Sequence, residues 1–331
     1  MNVSKQPATC SLAVTCCPGR IRRVTPCAPW FAPNDQNGAH GVTRPTLWIL
    51  AFLLLATPLR LHAQSSDNAD SQPPTVATNR ITGGGPVAAR ALANAVNDPT
   101  APLTLVQFRD VVAPTVPGAD GPANVLQLEP VFPILPTRFM PLTELIKITF
   151  PLVATAPNPG GATGLGDLSL FDLFTVKQSW GKWGFGPALV FPTATSTVLG
   201  QGKWQAGPSF AAIYTGIADF QFGAVLQNPI SFAGNSSRPA VNTLLITPTL
   251  TYNLPHGWFA GYSDFDLTFD WENGGAPTIP VGLQVGKVFS IGKQPVTFSL
   301  EGAYNVLTPS GTATPHWLIG IEFTMVFGTK K

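Results

Sequence analysis

Along most of the chain the apolar residues fall on every second position. The pattern is clearest between Trp183 and Phe210. Trp183, Phe185, Pro187, Leu189 and Phe191 share one broad apolar face, while Gly184, Gly186, Ala188 and Val190 make a thinner opposite face. Trp-x-x-Gly-Pro opens two such runs, at Trp183 and again at Trp204. A period of two predicts strands. From Leu103 onward the same reading gives twelve of them, at about 103–112, 124–132, 143–152, 166–177, 183–192, 204–214, 219–231, 241–253, 257–271, 279–289, 295–306 and 316–327.

The connectors alternate in length. One set is short (QSWGK, TGIA, LPH, SIGKQ), with 133–142 the exception. The other set is longer and rich in Gly, Pro, Ser and Asn: 113–123, 153–165, 193–203, 232–240, 272–278 and 307–315. Short turns on one side, long loops on the other and an even strand count predict a transmembrane, antiparallel, up-and-down β-barrel of the all-β class. Both termini then lie on the short-turn side. A soluble β-sandwich would also contain many strands but would not need alternating connectors.

Polar residues in such a wall belong on the lumen face, because a carboxylate in lipid costs kilocalories. In the eleventh strand Thr297, Ser299, Glu301, Ala303 and Asn305 oppose an apolar row; in the twelfth, Glu322 and Thr324 do the same. In the ninth, Asp264, Asp266, Thr268 and Asp270 oppose Phe265, Leu267, Phe269 and Trp271, so the four apolar residues are expected to face out. Arg109, Glu129, Lys147 and Lys203 also have inward parity and could pair across the lumen, holding it partly shut, with an exposed strand end an equal reading for Lys203. The lumen-facing candidates are therefore Arg109, Glu129, Lys147, Asp264, Asp266, Asp270, Glu301 and Glu322. Asp172 breaks the pattern by sharing the parity of Leu168, Leu170, Phe174 and Val176; a bulge or local register shift is the expected explanation. Trp180, Trp183, Trp204, Trp258, Trp271 and Trp317 sit at or next to strand ends, where an interfacial aromatic girdle belongs.

Composition supports a membrane wall. Only 11% of the 331 residues are charged, against roughly 25% in soluble domains. The longest apolar run, Leu47 to Ala56, falls well short of the ~20 residues of a spanning helix. With Arg44 before it and Leu61-His62-Ala63 after it, this run reads as a secretory signal, so residues 1–63 are a leader. The apolar core starts far from Met1, which points to a true translation start near Val42. All four cysteines (Cys10, Cys16, Cys17, Cys27) lie in the leader. Removing it leaves 13 basic and 16 acidic residues of the original 19 and 17, a net of −3, which argues against nucleic acid as a partner. Residues 64–102 read as a flexible tether containing a short helix at 86–97, which reads first as a marginal N-terminal turn and second as a plug for the lumen. Residues 103–331 form the barrel.

Three stretches carry a family resemblance: GATGLGDLSLFDLFTV, WGFGPALVFPTATSTVLGQGKWQAGPSF and NPISFAGNSSRPAVNTLLITPTLTYNLPHGWFAGYSDFDLTFDWE. They resemble the bacterial outer-membrane barrel family of meta-pathway phenol degradation and transporter proteins, some of which are labelled neuromedin U. The resemblance spans about Leu103 to Phe327. It implies an outer-membrane location and import of small, aromatic or hydrophobic solutes, and it brings no catalytic residues. The chain departs from the usual outer-membrane pattern in that Phe327 is followed by Gly-Thr-Lys-Lys.

Candidate chemistry is sparse. Asp264, Asp266 and Asp270 with Glu301 and Glu322 could form an acidic patch for a divalent cation, but alternating carboxylates are what any wet lumen shows, and no metal or cofactor is expected. His256 and His316 lack a Ser or Asp at a recognisable spacing, so no enzyme activity is expected. GGATGLGD precedes a strand, where a nucleotide fingerprint would need a helix. The expected function is a narrow passive pore. The alternatives are a closed structural or surface-binding barrel and, third, an outer-membrane lipid enzyme. The expected partners are outer-membrane lipids, lipopolysaccharide, the barrel assembly machinery and a small solute.

Overall fold

The computed structural model describes residues 92–327. The leader, the tether up to residue 91 with the first half of the expected helix, and residues 328–331 lie outside the described residues.

The strands are β1 (Thr104–Ala113), β2 (Ala123–Ile134), β3 (Thr143–Ala156), β4 (Ala162–Gly164), β5 (Leu168–Lys177), β6 (Gly181–Phe191), β7 (Lys203–Ile217) and β8 (Phe220–Gln227). They continue as β9 (Ile230–Gly234), β10 (Thr243–Asn253), β11 (Trp258–Tyr262), β12 (Leu267–Asp270), β13 (Ala276–Ile291), β14 (Gln294–Leu307) and β15 (Trp317–Phe327). Three wall strands are interrupted: β3 pairs with both β4 and β5, β7 with both β8 and β9, and β10 with both β11 and β12. Counting each interrupted strand once, the wall has twelve strands. Neighbours in sequence are neighbours in space, all pairs are antiparallel, and β15 returns to β1 from Thr104↔Phe327 to Val112↔Ile319. The sheet is closed, so no edge is left unpaired.

The two faces separate as the period of two requires. In β14, Ser299, Glu301, Ala303 and Asn305 are buried, whereas Leu300, Tyr304 and Val306 are exposed. In β13, Thr278, Gln284 and Val288 are buried and Val281, Leu283 and Val285 exposed. Apolar side chains on the outside and polar ones within reverse the order of a water-soluble barrel and define a wall that faces lipid.

Two expectations from the sequence need correction. Asp172 keeps the outward parity of its neighbours, and the bulge or register shift expected to account for it is absent: the β3–β5 register runs unbroken from Thr143↔Thr175 to Thr149↔Ser169. What lapses is the pairing of β5 with β6, between Phe171↔Ala188 and Phe174↔Phe185, where Pro187 brings no N–H. Glu144 on β3 shares this outward parity one pair away, at Glu144↔Phe174 beside Ile146↔Asp172. The second correction is Phe265, expected on the lipid face but buried with Val111 and Ala303, both on the lumen face. Between β11 and β12 the backbone of 263–266 leaves the wall, and strict alternation stops applying.

Candidate functional site

The barrel interior holds three groups of contacts, stacked from the short-turn end to the long-loop end. At the short-turn end, residues 92–96 form a helical turn whose Leu92, Ala93 and Val96 pack with Leu103, Leu105, Phe259, Val288 and Val326. Phe259 reaches this position because Gly286 faces it: a Cβ there would lie 2.2 Å from the ring. Polar contacts fix the segment further. Gln221 Nε2 donates to the Asn94 carbonyl at 2.9 Å, and Asn253 Nδ2 donates to Asn94 Oδ1. Lys182 Nζ lies 2.6 Å from Asp98 Oδ2, and Asp98 also accepts from the Thr100 backbone N–H at 2.8 Å. The segment is therefore a plug held against the lumen wall, correcting the expectation of a marginal turn. A turn this short is unstable alone; the barrel supplies the stability.

The Lys182–Asp98 pair should control that plug. Lys182→Ala leaves a buried carboxylate with only neutral donors, a loss of about 1.5–3 kcal/mol for a charged hydrogen bond. Limited proteolysis of the folded barrel should then cut within 92–103 at least about tenfold faster than in the unsubstituted protein. Unchanged protection would show that the apolar contacts alone hold the plug.

The middle of the lumen is charged. On β1, Arg109 Nη2 and Nε donate to Glu301 Oε1 of β14 at 2.6 and 2.9 Å. The same guanidinium donates to the Asp264 carbonyl at 3.2 Å and lies 5.1 Å above the Phe265 ring. Glu301 Oε2 accepts the Asp264 N–H at 2.8 Å, so a single carboxylate ties β1 to the inward segment 263–266. Gly320 leaves room for it, since a Cβ there would lie 2.3 Å from Glu301 Oε1. Around this centre Gln284 donates to Asp264 Oδ2 at 3.1 Å and Thr247 to Asp266 Oδ1 at 2.5 Å. Lys147 pairs with Glu129 at 2.7 Å. Glu322 accepts from Thr324 at 2.7 Å and Gln107 at 3.1 Å.

The structure thus brings together Arg109, Glu129, Lys147, Asp264, Asp266, Glu301 and Glu322. Asp270 is separate: it is buried at the long-loop end of β12, where its carboxylate accepts the Glu272 N–H at 3.1 Å and shapes the following turn. Two cations face five carboxylates in the central group, a formal net charge of −3. Among the described residues no group of three His, Cys, Asp or Glu is placed to hold a metal ion.

The long-loop end is partly covered by the β6–β7 loop, residues 192–202. Val198 and Leu199 fold inward onto Val125, Ala154 and Ala156, which are buried on the lumen side of β2 and β3. The loop is anchored on the gap between β4 and β5. Asp167 there accepts the backbone N–H groups of Ala194 at 3.0 Å and Gln201 at 2.6 Å. Thr195 Oγ1 accepts the Leu165 N–H at 3.0 Å, and Arg238 donates to the carbonyls of Gly200 and Gln201 at 2.7 and 3.3 Å. Sequence reasoning missed this cover, although two adjacent aliphatic residues inside a polar loop are its signal.

The six tryptophans divide by end. Trp180, Trp183 and Trp258 lie at the short-turn end, and Trp204, Trp271 and Trp317 at the long-loop end. All except the half-buried Trp183 are exposed. Trp258 carries Lys287 5.0 Å from its ring centroid.

No family model matches the chain and no curated protein matches it. Solved structures do. An outer membrane channel from Pseudomonas putida F1 aligns with a TM-score of 0.45 and 14% identity, over 68% of this chain and 94% of that one. Outer membrane phospholipase A from Escherichia coli aligns with a TM-score of 0.35 and 10% identity, over 72% of this chain and 98% of that one. Neither likeness carries an activity over to this chain. The fold and its lipid-facing wall define a twelve-stranded transmembrane β-barrel.

Proposed function

We propose that this barrel is an outer-membrane pore for small solutes, narrow and closed at rest by its two plugs, and selective for cations through its central carboxylates. The observation that carries this reading is the excess of carboxylates over cations on the lumen face, with Glu129 and Glu301 buried and Asp264, Asp266 and Glu322 half-buried. A purely structural barrel gains nothing from holding five carboxylates against two cations, since well-packed apolar residues fill such a space at no greater cost. A conduit uses that excess, because fixed carboxylates raise the local concentration of cations. Twelve strands lie between the ~8 that side chains fill and the ~16 to 18 that leave a wide channel. The sequence resemblance favours small aromatic or hydrophobic compounds as solutes. Assembly in this setting would involve lipopolysaccharide around the long-loop end and the barrel assembly machinery. Cover at both ends also suits a sealed structural barrel, and one experiment separates the two.

Residues 64–331, refolded and inserted in planar bilayers, should give discrete steps of small conductance with more cation than anion permeability. Asp266→Asn combined with Glu322→Gln removes two of the five central carboxylates and neither of the two cations. It should move the permeability ratio most of the way to unity while the steps persist. Heat-modifiable, correctly folded protein that gives no steps at any voltage would favour the sealed barrel.

A further inference from the structure

The β2–β3 turn, residues 135–142, is the longest connection on its side of the barrel, and its surface is unusual. Phe139 is 94% exposed, the highest value for any large apolar residue in the described chain, and Met140, Ile134 and Leu135 are exposed beside it. The tip is not loose. The Thr137 N–H donates to the Met140 carbonyl at 2.8 Å, and the Met140 N–H donates to Thr137 Oγ1 at 3.1 Å. Pro133, Pro136 and Pro141 stiffen the chain on both sides. The hairpin projects past its neighbour: pairing of β1 with β2 begins at Leu105↔Val131, so Phe132 lies level with the first residue of β1 and Ile134 extends beyond it. Their outward parity continues the lipid-facing row of Leu126 and Leu128. An ordered, projecting turn that presents Arg138, Phe139 and Met140 in succession combines a cation with apolar bulk at the edge of an apolar wall.

We propose that this turn is a membrane-interface anchor, with Phe139 and Met140 seated among the headgroups and upper acyl chains of the leaflet on the short-turn side, and Arg138 on a lipid phosphate. Continuity points to lipid as the occupant: the outward row of β2 passes from half-buried Leu126 and Leu128 to exposed Phe132 and Ile134 and on into the turn. Aromatic residues and long basic side chains are the pair that settles at this depth. The inference rests on the reading of the outer wall as lipid-facing.

The test uses the full chain with Cys10, Cys16, Cys17 and Cys27 replaced by serine, so that one introduced cysteine can carry an environment-sensitive fluorophore. Labels at Phe139→Cys, Leu283→Cys in the middle of β13 and Ser236→Cys in the β9–β10 loop are compared in vesicles of phosphatidylethanolamine and phosphatidylglycerol. The Phe139 label should emit blue-shifted and be quenched more strongly by a shallow nitroxide lipid than by aqueous iodide. Arg138→Glu should move it toward water. Quenching by iodide alone, with the Leu283 label still quenched by deep nitroxide lipid, would overturn the anchor and leave the tip as a surface for a soluble partner. Failure of lipid quenching at Leu283 as well would overturn the membrane reading itself.

Discussion

Arg109→Ala is expected to be the most destabilising single substitution in the barrel, by about 3–5 kcal/mol, the range for removing one member of a buried ion pair. The guanidinium is the only cation bonded to Glu301 among the described residues, and through Glu301 it holds the backbone of the inward segment. Without it, Glu301, Asp264 and Glu322 share a confined space with Lys147 as the remaining central cation, and that cation is engaged by Glu129. The Phe265 ring also loses the charge stacked on it. The urea midpoint of the refolded barrel, read from tryptophan emission and confirmed by heat-modifiability, should fall accordingly. Adding Glu301→Gln should recover part of the loss, because a neutral amide no longer needs the missing cation. That double variant should stay folded but hold 263–266 less firmly, and its open steps should be larger. Equal stability of Arg109→Ala and the parent would show that water already screens the pair and that the centre of the lumen is wet and wide.

The elements that sequence resolved are those that physics repeats along the whole chain. Lipid outside and polar contacts inside impose the same alternation on every wall strand, so Ser299, Glu301 and Asn305 could be assigned to the lumen without knowing their partners. The same reasoning placed Arg109, Glu129 and Lys147 where they could pair across the lumen, without saying which pairs form. Pairing depends on register between distant strands: Arg109 meets Glu301 across 192 positions of sequence. The plug shows this limit most sharply. Residues 92–103 carry no strong helical signal, and their hold comes from Lys182, Gln221 and Asn253, at separations of 84, 127 and 159 positions. Phe265 illustrates a different limit. Ser263, Asp264, Phe265 and Asp266 keep the alternation of a strand, yet a buried Phe265 is stabilised by the Arg109 cation and by Val111 and Ala303, and the backbone follows the side chain inward. Asp172 shows the limit of parity as well: the bulge or register shift expected to account for it is absent from the β3–β5 pairing, and it keeps the outward parity of its neighbours.

Val198→Asp with Leu199→Asp should open the long-loop end. The pair sits in an apolar cluster with Val125, Ala154 and Ala156, and burying an unpaired charge among such residues costs several kcal/mol. That exceeds what the loop can recover from its backbone hydrogen bonds to Asp167 and Arg238, each about 0.5–3 kcal/mol and partly replaced by water on release. The loop therefore swings out while the wall, which does not depend on it for a single strand pairing, remains closed. In planar bilayers the variant should spend most of its time open, with the open probability raised roughly tenfold or more for each 1.4 kcal/mol by which the closed loop is destabilised. The size of the step is the more informative quantity. A larger step means that Val198 and Leu199 were the narrowest part of the path. An unchanged step with higher open probability places the constriction deeper, at Arg109, Phe265 and Glu301, with the loop acting as a lid over it. No change in either quantity would mean that the path does not pass the β6–β7 loop, and the role assigned to its two aliphatic residues would fall.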